Sequence, residues 1–169
     1  SDDLDVKNAL SYLRESNVTE TDLWRYKIGI SKKQKAYSGR IIVPSFDDKL
    51  KLNFIVSRAF NKFTWPKYVN CNKNKNEIIF NEYLINFKKP VYIFEGIFDL
   101  IASKRNGTCL LGSSLSENSL LYNRLIENKT KIILCLDYDA RRKQDEIAKK
   151  FLAMGNSVSS VDTSGFDDI

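Results

Sequence analysis

Histidine is absent from this chain of 169 residues, and its absence narrows the chemistry that the chain can perform. Without histidine there is no Ser-His-Asp or Cys-His catalysis and no histidine-ligated metal site. The three cysteines form no C-x-x-C pair, which argues against a zinc site and for a reducing compartment. Catalysis by this chain would therefore use carboxylates, lysines or a metal held by oxygen ligands.

Glycine, proline and long apolar runs are also scarce. Seven glycines and three prolines exclude a collagenous or low-complexity chain. No apolar run approaches the roughly 20 residues of a membrane span, so we expect no membrane partner. A cytoplasmic location is expected as well, in line with the reducing compartment that the cysteines indicate. A hydrophobic content of 43% is enough to bury the core of one domain or of two small lobes.

Positive charge is concentrated in the first half of the chain. Residues 1–90 carry a net charge of +7, whereas residues 91–169 carry −1. Between residues 25 and 75, thirteen basic residues stand against two acidic ones, interleaved with the aromatic residues Tyr26, Tyr37, Phe46, Phe54, Phe60, Phe63, Trp65 and Tyr68. Basic and aromatic residues together are typical of surfaces that bind single-stranded nucleic acid. A solvated basic face over an ordinary aromatic core gives the same composition, and both interpretations stay open.

The apolar pattern predicts an α+β lobe over residues 1–88. Val6–Glu15 has helical spacing, and a capping box from Thr19 to Asp22 starts a second short helix. Arg40–Phe46 and Lys49–Arg58 read as two strands joined by an Asp47-Asp48 turn.

After Lys88-Lys89-Pro90 the pattern changes to short apolar strands that alternate with helices. The predicted strands are Val91–Phe94, Thr108–Leu111, Lys131–Leu136 and Ser157–Val161. Alternation at this spacing implies right-handed βαβ units. We therefore expect an α/β lobe with a four-stranded parallel sheet over residues 89–169.

Carboxylates follow three of these strands. Glu95 comes after the first, Asp137 and Asp139 after the third, and Asp167 and Asp168 after the fourth. The carboxyl ends of parallel strands lie at one edge of the sheet, where ligands bind. Carboxylates gathered there without histidine suit a hard dication such as Mg²⁺ or Mn²⁺, and two such ions are a common device for phosphoryl transfer.

Several acidic residues of this half also have a simpler interpretation. Glu95-Gly96 is a common turn pair, Asp139 suits the cap of the next helix, and Asp99 suits the first turn of its own helix. Only the combined spacing of the carboxylates along the βα array favours a site.

Four segments of the second half resemble the motifs of the Toprim domain. Val91–Asp99 (VYIFEGIFD) resembles its first motif and Leu134–Ala140 (LCLDYDA) its second. Leu111–Ser114 is similar to the stretch between them, and Phe166–Asp168 to a late acidic motif.

The first half carries a resemblance of its own, to the RNA polymerase domain of DnaG-type primases. The stretch from Ala9–Arg14 through Leu23–Gly29 resembles the start of that domain. The other matching segments are Arg40–Pro44, Val56–Arg58, Pro66–Asn70 (PKYVN) and Lys75–Asn81, with Ser57 in place of a glycine before Arg58. Over nearly its whole length the sequence therefore resembles the catalytic core of a DnaG-type primase, of the bacteriophage kind.

This resemblance implies a DNA primase that makes short RNA primers on single-stranded DNA from ribonucleoside triphosphates. It implies two Mg²⁺ or Mn²⁺ ions. No zinc is expected, because the chain has neither histidine nor a C-x-x-C pair. The implied partners are the template, the nucleotides, the nascent primer and a replicative helicase reached through missing or fused regions, all in a bacterial host cytoplasm. A Toprim nuclease or topoisomerase-like enzyme, and a non-catalytic module that binds single strands, are the alternatives.

The resemblance also assigns roles to individual residues. Glu95, Asp137 and Asp139 are implied as catalytic residues and metal ligands, with Asp167 or Asp168 completing a second metal site. Gly96 and Asp99 are implied to support them. Nucleotide and nucleic-acid binding is expected of four basic residues: Arg58, Lys67, Lys75 and Arg40.

Overall fold

The computed structural model describes residues 4–31, 35–112 and 114–161. The chain divides into two compact units, Ser1–Lys73 and Asn74–Ile169, and each contains a four-stranded sheet. Among the described residues, no helix is both long and apolar enough to cross a bilayer.

The first unit combines two helices with an antiparallel sheet. Its elements are α1 (Leu4–Glu15), α2 (Glu20–Arg25), β1 (Gly29–Ile30), β2 (Arg40–Phe46), β3 (Leu52–Ala59) and β4 (Tyr68–Asn70). The strands lie in the order β1-β2-β3-β4. The two-residue strand β1 was not predicted, because a segment that short leaves no period-two pattern.

Local side-chain contacts explain how this unit begins. In the predicted capping box, which is confirmed, Asp22 Oδ2 accepts hydrogen bonds from the backbone N of Thr19 at 2.8 Å and from its Oγ1 at 2.6 Å. In the β2–β3 turn, Asp47 Oδ1 accepts from the backbone N atoms of Lys49 and Lys51. The predicted hairpin therefore forms around Asp47.

The second unit is an α/β lobe. Its strands are β5 (Val91–Phe94), β6 (Gly107–Cys109), β7 (Ile132–Cys135) and β8 (Val158–Ser160), and its helices are α3 (Ile97–Ser103), α4 (Leu120–Glu127) and α5 (Arg141–Ala153). The strands are parallel in the order β6-β5-β7-β8. The expected four-stranded parallel sheet is confirmed.

The core of this unit is packed between the sheet and two of its helices. Ile93 and Leu134, in the central strands, are fully buried. Leu125 of α4 and Phe151 of α5 belong to the same hydrophobic cluster. Strands in a parallel sheet are covered by helices and therefore read as continuous apolar runs.

The boundary between the units differs from the expected one at Lys88, because residues 74–88 belong to the second unit. Ile79 is fully buried in the cluster of β5 and β7, and Thr108 Oγ1 donates a hydrogen bond to Phe80 O at 3.0 Å. Part of this segment forms two 3-10 turns, Lys75–Glu77 and Glu82–Leu84. Such turns have no regular apolar period, so the sequence did not indicate which unit they join.

Replacing a core leucine tests this packing. We expect Leu134→Ala to lower the free energy of unfolding by about 2–5 kcal/mol, because it leaves a cavity at a fully buried position. Leu152→Ala makes the same change on the exposed side of α5 and should cost no more than about 0.5 kcal/mol. Urea unfolding followed by circular dichroism measures both, and equal losses would contradict the assignment of the core.

Candidate active site

The pairing of β5 with β7 brings two acidic segments to the same edge of the parallel sheet. Phe94, the last residue of β5, pairs with Cys135, the last of β7. Glu95 therefore leaves the sheet level with Leu136, one residue before Asp137. The polar residues that follow both strands meet where α/β sheets bind their ligands.

A cleft of about 480 Å³ opens in this unit. Two of the predicted carboxylates, Glu95 and Asp139, line it together. The remaining lining residues are Ser114, Leu115, Ala140, Arg142, Lys143, Glu146, Ile147 and Lys150. The cleft thus combines carboxylates with three basic side chains.

Glu95 has two oxygens in different situations. Its Oε1 forms an ion pair with Lys143 Nζ at 2.9 Å, and both side chains are partly shielded, with exposures of 34% and 18%. Its Oε2 is buried and has no hydrogen-bond partner in the described part of the chain. A buried carboxylate oxygen without a partner is costly, so this atom is suited to a donor or cation that binds in the cleft.

The two aspartates after β7 occupy different places. Asp139 lies within a 3-10 turn, Tyr138–Ala140, and its side chain is exposed at the cleft. Asp137 precedes this turn and is also exposed. Ala140 occupies the N-cap position of α5, so Asp139 is not the N-cap of this helix.

Gly96 and Asp99 lie close together at the start of α3. A Cβ on Gly96 would collide with Oδ2 at the end of the Asp99 side chain, so a larger residue at position 96 would make the Asp99 side chain move. Asp99 is in the first turn of α3 and is exposed. The supporting role predicted for the two residues stays a prediction.

Metal ligation at this edge involves few protein groups. Among residues 4–31, 35–112 and 114–161, no group of three or more Asp, Glu or Cys side chains is close enough to hold a metal ion. Asp167 and Asp168 lie outside the described residues, as does Ser113. Mg²⁺ is commonly held by one or two carboxylates together with substrate phosphates, and Glu95 with Asp139 fits that donor set.

The basic side of the cleft was not predicted from the sequence. Helix α5 begins with Arg141, Arg142 and Lys143 and has no acidic residue in its first turn. The helix dipole disfavours cations at an N-terminus, where anions are stabilised. Three cations at this position, directly after the D-x-D segment, were the signal in the sequence that could have marked the start of α5 as the basic side of the cleft.

The basic residues predicted to bind nucleotide or nucleic acid differ in accessibility. Lys67 is exposed, and the Arg58 guanidinium lies 4.7 Å from the ring centroid of Tyr68 and 5.5 Å from that of Tyr12. Lys75 is exposed in the second unit and lines a smaller cavity of about 210 Å³ beside Gly112. These three remain candidates.

Arg40 departs from its expected role. Its side chain is 3% exposed and donates hydrogen bonds to the backbone O atoms of Pro66, at 2.6 Å, and Lys67, at 3.4 Å. A guanidinium committed to backbone carbonyls inside the unit holds the chain in place, so the geometry makes Arg40 a structural residue.

Cysteine chemistry is unfavourable in this unit. Burial raises the pKa of Cys135 to about 11, although Arg105 opposes the shift. Burial also raises the pKa of Cys109 to about 12, and the negative charge of Asp99 adds to the effect. Both residues are neutral thiols at physiological pH, so neither acts as a thiolate nucleophile or ligand.

The chain is similar in sequence to a DNA primase. A DNA primase of Rickettsia typhi is 27% identical to the chain over an alignment of 173 positions. The alignment covers 77% of this chain and 29% of that protein. No profile of a known protein family matches the chain. The chain thus spans under a third of the length of this relative.

Solved structures share the fold. The zinc-binding and RNA polymerase domains of the Aquifex aeolicus primase superpose with a TM-score of 0.76 at 19% identity, over 94% of this chain and 50% of that one. A DnaG primase catalytic domain bound to single-stranded DNA gives 0.68 at 16% identity, over 88% and 61%. The fold of the chain is that of DnaG primase catalytic cores.

Alkylation of Cys135 tests the electrostatics of this edge of the sheet. With a pKa of about 11, Cys135 should react with iodoacetamide at pH 8 about 100-fold more slowly than an ordinary thiol, because so little of it is thiolate. Its rate should keep rising as the pH increases towards 11. Mass spectrometry of the peptide that contains Cys135 gives the rate, and a plateau near pH 9 would contradict the burial described here.

Proposed function

We propose that this chain is the catalytic part of a DNA primase. It would use a divalent metal to synthesise short RNA primers from ribonucleoside triphosphates on single-stranded DNA, in the cytoplasm. One observation carries the proposal: the predicted carboxylates of Glu95 and Asp139 and the basic start of a helix face one cleft, in a chain that is similar to DNA primases.

The acidic side of the cleft is suited to the metal. Glu95 and Asp139, with Asp137 close by in the chain, would hold Mg²⁺ or Mn²⁺, and the unpartnered Glu95 Oε2 supports this assignment. A bound dication supplies neutralisation of the charge on the reacting phosphates. Glu95 Oε1 also accepts a hydrogen bond from Lys143 Nζ at 2.9 Å, which fixes the position of this carboxylate in the cleft.

The basic side of the cleft is suited to the triphosphate of a nucleotide. Arg142, Lys143 and Lys150 all line the cleft. Lys143 now neutralises Glu95, and it can exchange that carboxylate for a phosphate oxygen when substrate and metal arrive. The ion pair would thus keep the empty cleft from accumulating uncompensated charge.

The proposed reaction requires the protein mainly to position the reacting groups. The 3′-hydroxyl of the primer attacks the α-phosphate of the incoming nucleotide, and pyrophosphate leaves. Phosphoryl transfer of this kind depends on alignment and on neutralisation of charge rather than on a protein nucleophile. Histidine is therefore dispensable, and the neutral thiols of Cys109 and Cys135 take no part.

Template binding is proposed for the first unit. Residues 1–73 hold 14 basic and 8 acidic residues, a net charge of +6, whereas residues 74–169 hold 13 of each. All of the net positive charge therefore lies in the first unit, where Arg58 and Lys67 are located. This division of charge supports a nucleic-acid surface there.

Primer synthesis tests the function. We expect Asp139→Asn to lower the rate at least about 100-fold, because it removes a carboxylate that would hold the metal beside the reacting phosphates, while binding of single-stranded DNA stays unchanged. The products are separated on a denaturing gel after incubation with single-stranded DNA, labelled ribonucleotides and Mg²⁺ or Mn²⁺.

Asp145→Asn is the matched control for this experiment. It makes the same chemical change on an exposed position of α5 and should leave the rate unchanged. Metal-dependent RNA that disappears only in Asp139→Asn supports a primase. Shortened DNA without new RNA would replace it with a nuclease, and equal synthesis by both variants would refute the assignment of the cleft.

A further inference from the structure

The loop between β3 and β4 exposes two large aromatic side chains that neither fold nor cleft uses. We call residues 60–67 the aromatic loop. Phe63 is 97% exposed and Trp65 is 85% exposed, one residue apart. Single apolar residues on a surface are ordinary, but two such rings on one short loop call for an explanation.

Hydrogen bonds hold the aromatic loop in a defined shape. Asn61 Oδ1 accepts from the backbone N atoms of Phe63, at 3.0 Å, and Thr64, at 2.9 Å, and from Thr64 Oγ1 at 2.9 Å. The two rings are therefore presented to solvent by a loop that is already ordered.

Buried Arg40 fixes the far end of the aromatic loop through the carbonyls of Pro66 and Lys67. The backbone N of Ala59 also donates to Lys67 O at 2.9 Å, which closes the loop onto β3. A loop that is already ordered loses less conformational entropy when it binds a ligand. The loop thus has the property of a binding element rather than of a loose connection.

The electrostatic surroundings of the aromatic loop are basic. Lys62 and Lys67 belong to the loop and are exposed. Between Lys49 and Asn76 the sequence has seven basic residues and no acidic one. Lysine is depleted in the cores of protein–protein interfaces, whereas lysines beside aromatic rings are typical of surfaces that track a nucleic-acid backbone.

We propose that the aromatic loop is a stacking platform for unpaired bases of single-stranded DNA. Phe63 and Trp65 stack on the bases, and Lys62 and Lys67 contact the flanking phosphates. The ligand is single-stranded because the faces of bases in a duplex are already covered by their neighbours. The identity of the strand as the template rests on the primase function proposed above.

The two tryptophans of the chain make the proposal measurable. Trp65 lies on the aromatic loop, and Trp24 lies on α2 in the same unit with 79% exposure. Trp24→Phe leaves Trp65 as the only tryptophan, and Trp65→Phe leaves Trp24. We expect an oligothymidylate of about 16 nucleotides to quench the fluorescence of the first variant and to leave that of the second unchanged.

Affinity gives a second readout, by anisotropy of the labelled oligothymidylate. Phe63→Ala and Trp65→Ala should each weaken binding by about 5- to 150-fold, the loss expected for one stacked base. Trp24→Ala removes an equally exposed aromatic ring outside the loop and should leave affinity unchanged. All three positions are exposed, so circular dichroism should show the same fold in each variant.

Three results would overturn the proposal. The first is unchanged fluorescence of Trp65 at saturating oligothymidylate. The second is equal quenching of Trp65 by the same strand annealed to its complement. The third is a change in self-association alone, measured by light scattering, when Phe63 and Trp65 are replaced by Ala. That result would assign the loop to contact with a second copy of the chain.

The primer-synthesis assay separates this proposal from the proposed function. If the chain makes primers and Phe63→Ala and Trp65→Ala bind oligothymidylate with unchanged affinity, the stacking role is refuted and the primase function is supported. Quenching of Trp65 in a chain that makes no primers under any metal condition would keep the stacking role and remove the primase function.

Discussion

The parallel register between β5 and β7 is the constraint on which the candidate site depends. Because Phe94 pairs with Cys135, the segments that carry Glu95 and Asp137 leave the sheet side by side. Both strands are held by a core in which Ile93 and Leu134 are fully buried. A shift of one residue would turn these side chains to the opposite face of the sheet and move the acidic segments apart, so the packing of the core and the geometry of the candidate site require the same register.

Compensation of charge follows from that arrangement. Carboxylates at one edge of a sheet repel each other unless cations accompany them. Helix α5 supplies Lys143 to Glu95 and also places Arg142 beside the cleft. Cations at a helix N-terminus oppose the dipole, and the gain at the cleft offsets that cost. In the function proposed above, the same lysine would pair with the carboxylate before substrate binds and with a phosphate afterwards.

The sequence predicted those features that arise from regular patterns. The four parallel strands and the Asp47 turn follow from apolar periodicity and turn chemistry, and the edge of the sheet that carries Glu95 follows from strand direction. The ion pair with Lys143 joins residues 48 positions apart and depends on how α5 packs, which no local pattern records. Arg40 was likewise predicted to bind nucleic acid. Its burial against the carbonyls of Pro66 and Lys67 depends on tertiary packing, which the sequence pattern does not reveal.

The central claim is that Glu95 and Asp139 share a metal in the cleft of the second unit. Anomalous diffraction from crystals of the chain grown with Mn²⁺ and a ribonucleoside triphosphate tests it most directly. The account predicts an anomalous peak within coordinating distance of oxygens of both carboxylates, with Lys143 moved from Glu95 to a phosphate. Manganese bound only elsewhere, with the Lys143–Glu95 pair intact beside a bound nucleotide, would contradict it.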